Sequence, residues 1–384
     1  MTTEMKRQYL KSIRSRYFKA SKTKKSLILD EFCEVCGYTR KHAIKLLADE
    51  FSDAVRKPGP KPFYDAEVDG HLQYLWEQMG RMNSKKMHAA MPLWLPFYDR
   101  ADVHMKWLLK KISPATIDRR LSKFREKALR GLSSTSPSLI KNKIPIKLID
   151  ESMTEPGYIA ADTVAHCGNS LAGEFINSLT MTDIASGWTE NRAVWKKESR
   201  TVMGAIKSIE ENLPFKVKGF ASDNGNEFLN HDLHSYFFNR KNRVEFVRRR
   251  PYKKNDNAHV EQKNWTHVRE LWGYERFDHN KQVKLMNDIY KTLWNPLWNY
   301  FTPVMKLQSK TRVGGKIVKV WDKPKTPYQR VIDSGVLTTQ ESIKLINTKE
   351  LLNPFELKKE LEKQLKWFFR LVEIRKQEVK RAAG

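Results

Sequence analysis

Residues 157–164 read Gly-Tyr-Ile-Ala-Ala-Asp-Thr-Val, a strand-like stretch that carries one acid inside an otherwise apolar run. Two more β-rich segments follow at 175–184 and 188–194, and the Ala-Ser-Gly turn between them indicates a hairpin. Beyond the hairpin, short apolar strands alternate with segments of helical periodicity. This order predicts an α/β domain over residues 151–300, built on a mixed five-stranded sheet with helices.

Two all-α regions precede this domain. Residues 1–55 predict a helix-turn-helix DNA-binding domain, because two apolar stripes flank a glycine turn. The first stripe consists of Leu27, Leu29, Phe32 and Val35. A basic, proline-rich linker follows at 56–66, since three prolines and a glycine cannot continue a helix. Residues 67–130 predict a second helix-turn-helix domain, in which Ser113 caps a helix that begins with Pro114.

The remaining segments are a linker and a C-terminal region. Residues 131–150 are rich in serine, proline and lysine and show no periodicity, which indicates a linker. The C-terminal region, 301–384, predicts a small β and helical part, with a strand pair within 313–320 and an amphipathic helix at 355–380. We interpret that helix as a docking or dimer helix. Its apolar stripe is Leu357, Leu361, Leu365, Phe368 and Val372.

The charge balance narrows the class of partner. The chain has 71 Lys and Arg against 44 Asp and Glu, a formal net charge of +27, and its 40% hydrophobic residues suffice for real cores. Such an excess predicts a polyanionic partner, and nucleic acid is the obvious one. No apolar run approaches the ~20 residues that span a bilayer, and no export signal is evident. We therefore expect a cytoplasmic, DNA-associated protein with no membrane partner.

Three acids stand out by their positions. Asp162 lies inside the first strand of the α/β domain, Asp223 follows a later strand at a glycine turn, and Glu261 lies where a helix begins. All three can converge at one edge of the sheet, where a hard cation would relieve their repulsion. Two Mg²⁺ ions about 4 Å apart serve phosphoryl transfer in this way. The alternative is that Asp223 is a turn residue and Glu261 a helix-start acid.

The flanks of these acids favour a metal site. Residues 240–254 hold eight Lys and Arg, which suits a phosphate backbone arriving beside the acids. Cys33 and Cys36 lack a second cysteine pair, so we expect buried small residues and no zinc. We predict that His166 is structural rather than a substrate contact, and that Trp265 and Trp272 belong to the core.

Three motifs resemble those of the DDE transposases of bacterial insertion sequences. They are Asp162-Thr163, Ser222-Asp-Asn-Gly-Asn-Glu-Phe228 and Arg250-Pro-Tyr-Lys-Lys-Asn-Asp-Asn-Ala-His-Val-Glu261-Gln-Lys-Asn264. The resemblance implies a retroviral-integrase-like, RNase H-like core. It also implies two Mg²⁺ or Mn²⁺ ions held by Asp162, Asp223 and Glu261. One departure is that 37 residues separate the last two acids, whereas 35 are common in the family.

The resemblance further implies a reaction and its partners. Such enzymes cut DNA at terminal inverted repeats and join the freed 3′ ends to target DNA, which predicts double-stranded DNA and a homodimer or higher multimer in a synaptic complex. The residues predicted to contact DNA are Arg40, Lys41, Lys45, Arg56, Lys57, Lys61, Arg119, Arg120, Lys123, Arg249, Arg250, Lys253, Lys254, Lys263 and Asn264.

Two other functions stay open from the sequence. A catalytically inactive, transposase-derived protein could act as a sequence-specific DNA-binding regulator. The presence of all three acids argues against that, because a relic loses them readily. A nuclease acting on RNA–DNA hybrids could use the same core, although the paired helix-turn-helix predictions favour duplex DNA.

Overall fold

The computed structural model describes residues 2–48, 63–124, 155–222, 225, 227–248, 262–313 and 316–383. Outside these residues lie Asp223, Glu261, the linker predicted at 131–150 and positions 56–62 of the linker predicted at 56–66. The chain divides into two units, Met1–Phe63 and Tyr64–Gly384.

Three helices make up the described part of the first unit: α1 (Thr3–Lys19), α2 (Lys22–Cys36) and α3 (Arg40–Ala48). Gly37 ends α2 in the left-handed conformation, with φ +66°, which glycine adopts without strain. Helices α2 and α3 and the turn between them are as predicted, α1 was not predicted, and the helix-turn-helix assignment stays a prediction. Their core is Leu10, Ile13, Ile28, Leu29, Phe32, Cys36, Ala43 and Leu47.

The stripe predicted for α2 was wrong at two positions. Leu27 is 68% exposed and Val35 is 47% exposed. The buried face contains Ile28 and Cys36 instead, on either side of Phe32. Because those residues are four apart on each side of Phe32, the helix is rotated by about one residue from the expected orientation.

The second unit begins with four helices: α4 (Ala66–Gln78), α5 (Ser84–Trp94), α6 (Val103–Lys111) and α7 (Pro114–Leu121). Ser113 caps α7 as predicted, accepting a hydrogen bond from the Thr116 backbone at 3.2 Å. The indole of Trp94 donates to the Phe301 carbonyl at 3.2 Å. These helices therefore pack in one unit with the α/β domain, where the sequence suggested a separate domain.

A mixed five-stranded sheet follows, as predicted. Its elements are β1 (Tyr158–Ala165), β2 (Ile176–Asp183), β3 (Thr189–Trp195), α8 (Ser199–Glu210), β4 (Gly219–Ser222), α9 (His231–Phe238) and β5 (Glu245–Arg248). The strand order is β3-β2-β1-β4-β5. Strands β1, β2 and β3 pair antiparallel, while β4 and β5 run parallel to β1.

Helices complete the α/β domain. A π-helical segment, Asn264–Arg269, continues into a short α-helix, Glu270–Trp272, and we call the two together α10. Next come α11 (Lys281–Ile289), a π-helical turn (Tyr290–Trp294) and α12 (Asn295–Phe301). Helices α8 and α11 pack on β3. Single π-helical turns often occur at functional sites, and α10 carries the end of the third motif.

The C-terminal region contains a strand pair and three helices. The elements are β6 (Leu307–Val313), β7 (Lys316–Trp321), α13 (Pro327–Asp333), α14 (Thr339–Glu350) and α15 (Pro354–Ala383). The apolar stripe predicted for α15 lies within the chain's own core, with four of its five residues buried and Leu365 packed against them. That stripe therefore docks inside the chain, and the dimer interpretation of it was wrong. No helix among the described residues is long and apolar enough to cross a membrane.

Candidate functional site

Asp162 lies in the middle of β1, opposite Thr180 of β2. One of its carboxylate oxygens accepts the backbone N–H of Thr163 at 2.8 Å. The other accepts the Nδ2 amide of Asn264 at 2.7 Å. The residue before it, Ala161, lies opposite Ser222, the last residue of the parallel strand β4. The carboxylate is thus held at the junction of three structural elements.

Asn264 brings the third motif to the first. It lies on α10, 102 residues after Asp162 in the chain. Its other amide atom, Oδ1, is buried and has no hydrogen-bond partner in the described structure. A carboxylate and an amide oxygen are the hard donors that Mg²⁺ and Mn²⁺ prefer. Asp162 and Asn264 therefore supply one carboxylate and one amide oxygen of the kind that such a cation binds.

The described residues do not by themselves make a complete metal site. They include no group of three or more His, Cys, Asp or Glu side chains that could hold an ion. Of the three predicted ligands, only Asp162 lies within them, because Asp223 and Glu261 fall outside. The structure thus places one predicted ligand and the asparagine that contacts it.

Glu227 is an acid that the sequence reasoning did not single out. It is 5% exposed although ionisable. The Thr163 hydroxyl donates to its Oε1 at 3.2 Å, and Lys197 Nζ lies 2.5 Å from the same oxygen. A Cβ on Gly225 would lie 2.5 Å from both Glu227 carboxylate oxygens, so a larger residue there would displace the Glu227 side chain. The glycine and the acid of the second motif together fix this segment against β1.

Basic side chains gather beside α10. Lys263 Nζ lies 5.7 Å from the centroid of the Trp298 ring. Burial, and then the positive charge of Lys86, lower the pKa of Lys263 to about 7. Burial likewise lowers the pKa of Lys86, which comes from α5 and was not predicted at the site. A cationic pair that is only partly exposed favours an anion near it.

His267 lies in the same cluster. Its side chain is fully buried, and its ring is 4.3 Å from that of Trp298, centroid to centroid. Burial lowers its pKa well below the ordinary value, and Lys263 adds to the effect, so the ring is neutral. Nδ1 lies 3.0 Å from the Thr266 hydroxyl, while Nε2 has no partner among the described residues.

The other predicted DNA contacts fall into three groups. Arg120 and Lys123 bind the Asp69 carboxylate at 2.6 and 2.9 Å, which gives both a structural role in the four-helix region. Arg40 is ion-paired with Asp30. The exposed ones are Lys41, Lys45 and Arg119. Those outside the described residues are Arg56, Lys57, Lys61, Arg249, Arg250, Lys253 and Lys254. DNA contact by any of them stays a prediction.

The remaining single-residue predictions have mixed outcomes. His166 is structural, as predicted: it is fully buried, its Nε2 lies 2.8 Å from Ser178 Oγ, and burial lowers its pKa to about 3. Trp272 is in the core, but the prediction for Trp265 was wrong, since it is 45% exposed. The wider π-helical turn between the two tryptophans separates residues that an α-helix would align. Cys36 is buried and Cys33 partly buried.

A sequence relative shows the family. The chain is 34% identical over 331 residues to "Uncharacterized protein y4rM" of Sinorhizobium fredii (strain NBRC 101917 / NGR234). The aligned region covers 84% of this chain and 94% of that protein. The chain belongs to the y4rM family. No family model matches it.

The structural neighbours are retroviral integrases. The catalytic core of HTLV-2 integrase, solved in complex with magnesium as a dimeric form, is 16% identical with a TM-score of 0.29, covering 39% of this chain and 91% of that one. The catalytic core of BIV integrase is 17% identical with a TM-score of 0.30, covering 46% of this chain and 95% of that one. A chain of a simian T-cell lymphotropic virus intasome, solved in complex with PP2A regulatory subunit B56 gamma, is 14% identical with a TM-score of 0.27. The match covers 48% of this chain and 60% of that one. At such scores the functional proposal rests on this chain's own residues.

Proposed function

We propose that the protein is a DDE-type DNA transposase: it binds terminal inverted repeats, cuts DNA to free 3′-hydroxyl ends and joins those ends to target DNA. The observation that carries this proposal is the 2.7 Å hydrogen bond from Asn264 to Asp162. It joins the third motif to the acid of the first motif across 102 residues of chain. The mixed sheet, with β4 and β5 parallel to β1, is consistent with an integrase-like core.

The two acids outside the described residues are next to anchored ones. Asp223 is one peptide bond beyond Ser222, which lies opposite Ala161, the residue before Asp162. Glu261 precedes Asn264, the residue that contacts Asp162, by three positions in the sequence. We propose that Asp162, Asp223 and Glu261 form one carboxylate cluster.

The cluster would hold Mg²⁺ or Mn²⁺, two ions per site. Bound there, the ions would activate the attacking oxygen and neutralise charge on the leaving oxygen. Asn264 and the Thr163 backbone fix the orientation of the Asp162 carboxylate, so that its geometry is set before DNA arrives. Lys263 and Lys86 lie beside α10, where a phosphate backbone would favour their protonated forms. Water would attack the phosphorus in line and break its bond to the 3′ oxygen, which leaves as a 3′-hydroxyl with the phosphate on the 5′ side. That 3′-hydroxyl would then attack a target phosphorus in line and release the 3′ oxygen of the target strand.

Asn264→Ala should slow strand cleavage about 10- to 100-fold, the usual cost of losing a partner that orients a metal ligand. The substrate is duplex DNA carrying inverted repeats from the flanks of the gene, incubated with Mg²⁺ and, in parallel, with a chelator. Gln262→Ala is the matched control, because Gln262 is an exposed residue on the same helix. Equal rates for the two variants would contradict the role given to Asn264.

The same assay separates the two other functions. A DNA-binding regulator without catalysis would shift the repeat DNA in a gel and cut none of it in either Mg²⁺ or Mn²⁺. A nuclease for RNA–DNA hybrids would cut a hybrid in preference to duplex DNA when the two compete. The proposal expects metal-dependent cutting of the duplex, ending in free 3′-hydroxyl groups.

A further inference from the structure

Strands β6 and β7 form a two-stranded ribbon that we call the arm. Among the described residues they pair with each other alone, in a sheet separate from the five-stranded one. Every residue from 308 to 312 and from 317 to 321 is exposed. The exposed set includes large apolar side chains, with Ile317 58% and Trp321 47% exposed. Isolated two-stranded ribbons are marginally stable in water, so a stable ribbon needs contacts at its base.

The base of the arm is fixed to the rest of its unit. The Lys306 backbone N–H donates to Asp322 Oδ1 at 2.7 Å, and the Asp322 N–H donates back to the Lys306 carbonyl at 2.9 Å. The Asp322 carboxylate also pairs with Arg330 of α13 at 2.7 Å. Lys306 Nζ donates to the Ala185 carbonyl in the β2–β3 turn at 2.7 Å. The ribbon therefore extends from an anchored start.

The register gives the arm two different faces. Lys310 lies opposite Lys319, and Arg312 lies opposite Ile317. Cross-strand partners share a face and neighbours along a strand alternate, so these four side chains lie on one side. Trp321, two residues beyond Lys319, lies on that side as well. The middle of the other face carries Ser309, Thr311, Val318 and Val320, and the register pairs Val313 with Lys316 at its far end.

The charged face has no counter-ion in the described structure. At the base, Lys325 pairs with Asp333 at 2.6 Å and Arg330 with Asp322. Among the residues that the structure describes, Lys310, Arg312 and Lys319 have no such ion pair. Like charges directly opposite on a ribbon are destabilising. A bound polyanion would turn this repulsion into attraction.

We propose that the arm is a DNA-binding ribbon, whose cationic face of Lys310, Arg312 and Lys319 lies against the phosphate backbone of duplex DNA. The choice of duplex DNA over other polyanions rests on the proposed function. A two-stranded β-ribbon has a width that the major groove of DNA admits. The adjacent Trp321 offers an exposed ring beside the cations, at the end of the ribbon nearest the base.

The test measures how salt affects binding of a fluorescein-labelled 20-base-pair duplex of arbitrary sequence to the full chain. Each phosphate contact contributes about 0.9 to the slope of log K against log salt. The triple variant K310Q/R312Q/K319Q should therefore lower the slope by about 2.7 and raise the Kd on the order of 100-fold near 0.1 M salt. The control K344Q/K359Q/K366Q removes the same charge from exposed positions on α14 and α15. Equal slopes for the triple variant and the control would overturn the proposal.

A single variant guards against misfolding of the triple one. K319Q removes one member of the like-charged pair, so it should keep or raise the melting temperature while lowering the slope by about 0.9. An unchanged slope in K319Q would overturn the proposal. The proposal would also be overturned if the triple variant bound single-stranded RNA more weakly but bound the DNA duplex as the parental chain does. The two proposals fail separately. If the parental chain cuts no DNA but the arm variants show the expected slopes, only the transposase proposal is refuted. If the parental chain cuts DNA but the slopes of the arm variants are unchanged, only the arm proposal is refuted.

Discussion

Replacing Asp162 by asparagine should abolish strand cleavage and leave the fold intact. Asparagine keeps the size of the side chain but loses the charge that a divalent cation needs. Metal-supported charge stabilisation in the transition state is worth several kcal/mol, and each 1.36 kcal/mol is tenfold in rate. We therefore expect a fall of about 10³-fold or more, measured as the first-order rate of cutting of inverted-repeat DNA in Mg²⁺.

The control for Asp162 is Asp288→Asn. Asp288 forms an exposed ion pair with Lys284 one helical turn away, which contributes little to stability. Circular dichroism and the Kd for duplex DNA should be the same in both variants and in the parental chain. If Asp162→Asn cuts DNA as fast as Asp288→Asn does, the role of Asp162 as a metal ligand is refuted.

Phe368→Ala should lower the free energy of unfolding by about 3–5 kcal/mol, as for other fully buried aromatic residues. Phe368 is 0% exposed, and its ring lies 4.8 Å from that of Trp272 and 5.2 Å from that of Phe277, centroid to centroid. It thus ties the C-terminal helix to the end of α10. The measurement is urea unfolding followed by circular dichroism.

The neighbouring residue provides the control for that helix. Trp367 is 47% exposed, so Trp367→Ala removes a larger ring at little expected cost, within about 1 kcal/mol. A shared transition midpoint for the two variants would show that α15 does not cover the core in solution. The dimer interpretation of its Phe368 stripe would then return.

The sheet could be predicted from the sequence because its signals are local. An apolar run with turn residues at its ends predicts a strand wherever it lies, and β1 to β5 all appear within a few residues of the expected positions. The stripe on α15 is likewise a periodic signal, although periodicity alone does not say which surface covers it. Asp162 could be singled out because an acid inside an apolar strand is conspicuous.

The rest of the site depends on contacts between distant parts of the chain. Nothing near Lys197 or Lys86 in sequence marks either residue, since their partners are brought by other elements. Glu227 was within a recognised motif, and the glycine two positions before it was the available signal. Trp265 lies in a π-helical segment, which has more residues per turn than an α-helix. A prediction from α-helical periodicity therefore gives the wrong orientation for this side chain.

The most direct test of the account is the rate at which Asp223→Asn cleaves inverted-repeat DNA, with Asp232→Asn as the control. Asp232 is an exposed acid in the first turn of α9, nine residues further along the chain. If Asp162 and Asp223 share metal ions, Asp223→Asn loses cleavage by about 10³-fold or more, as Asp162→Asn does, and still binds the duplex. Cleavage by Asp223→Asn at the rate of the control would contradict the shared metal site and with it the transposase.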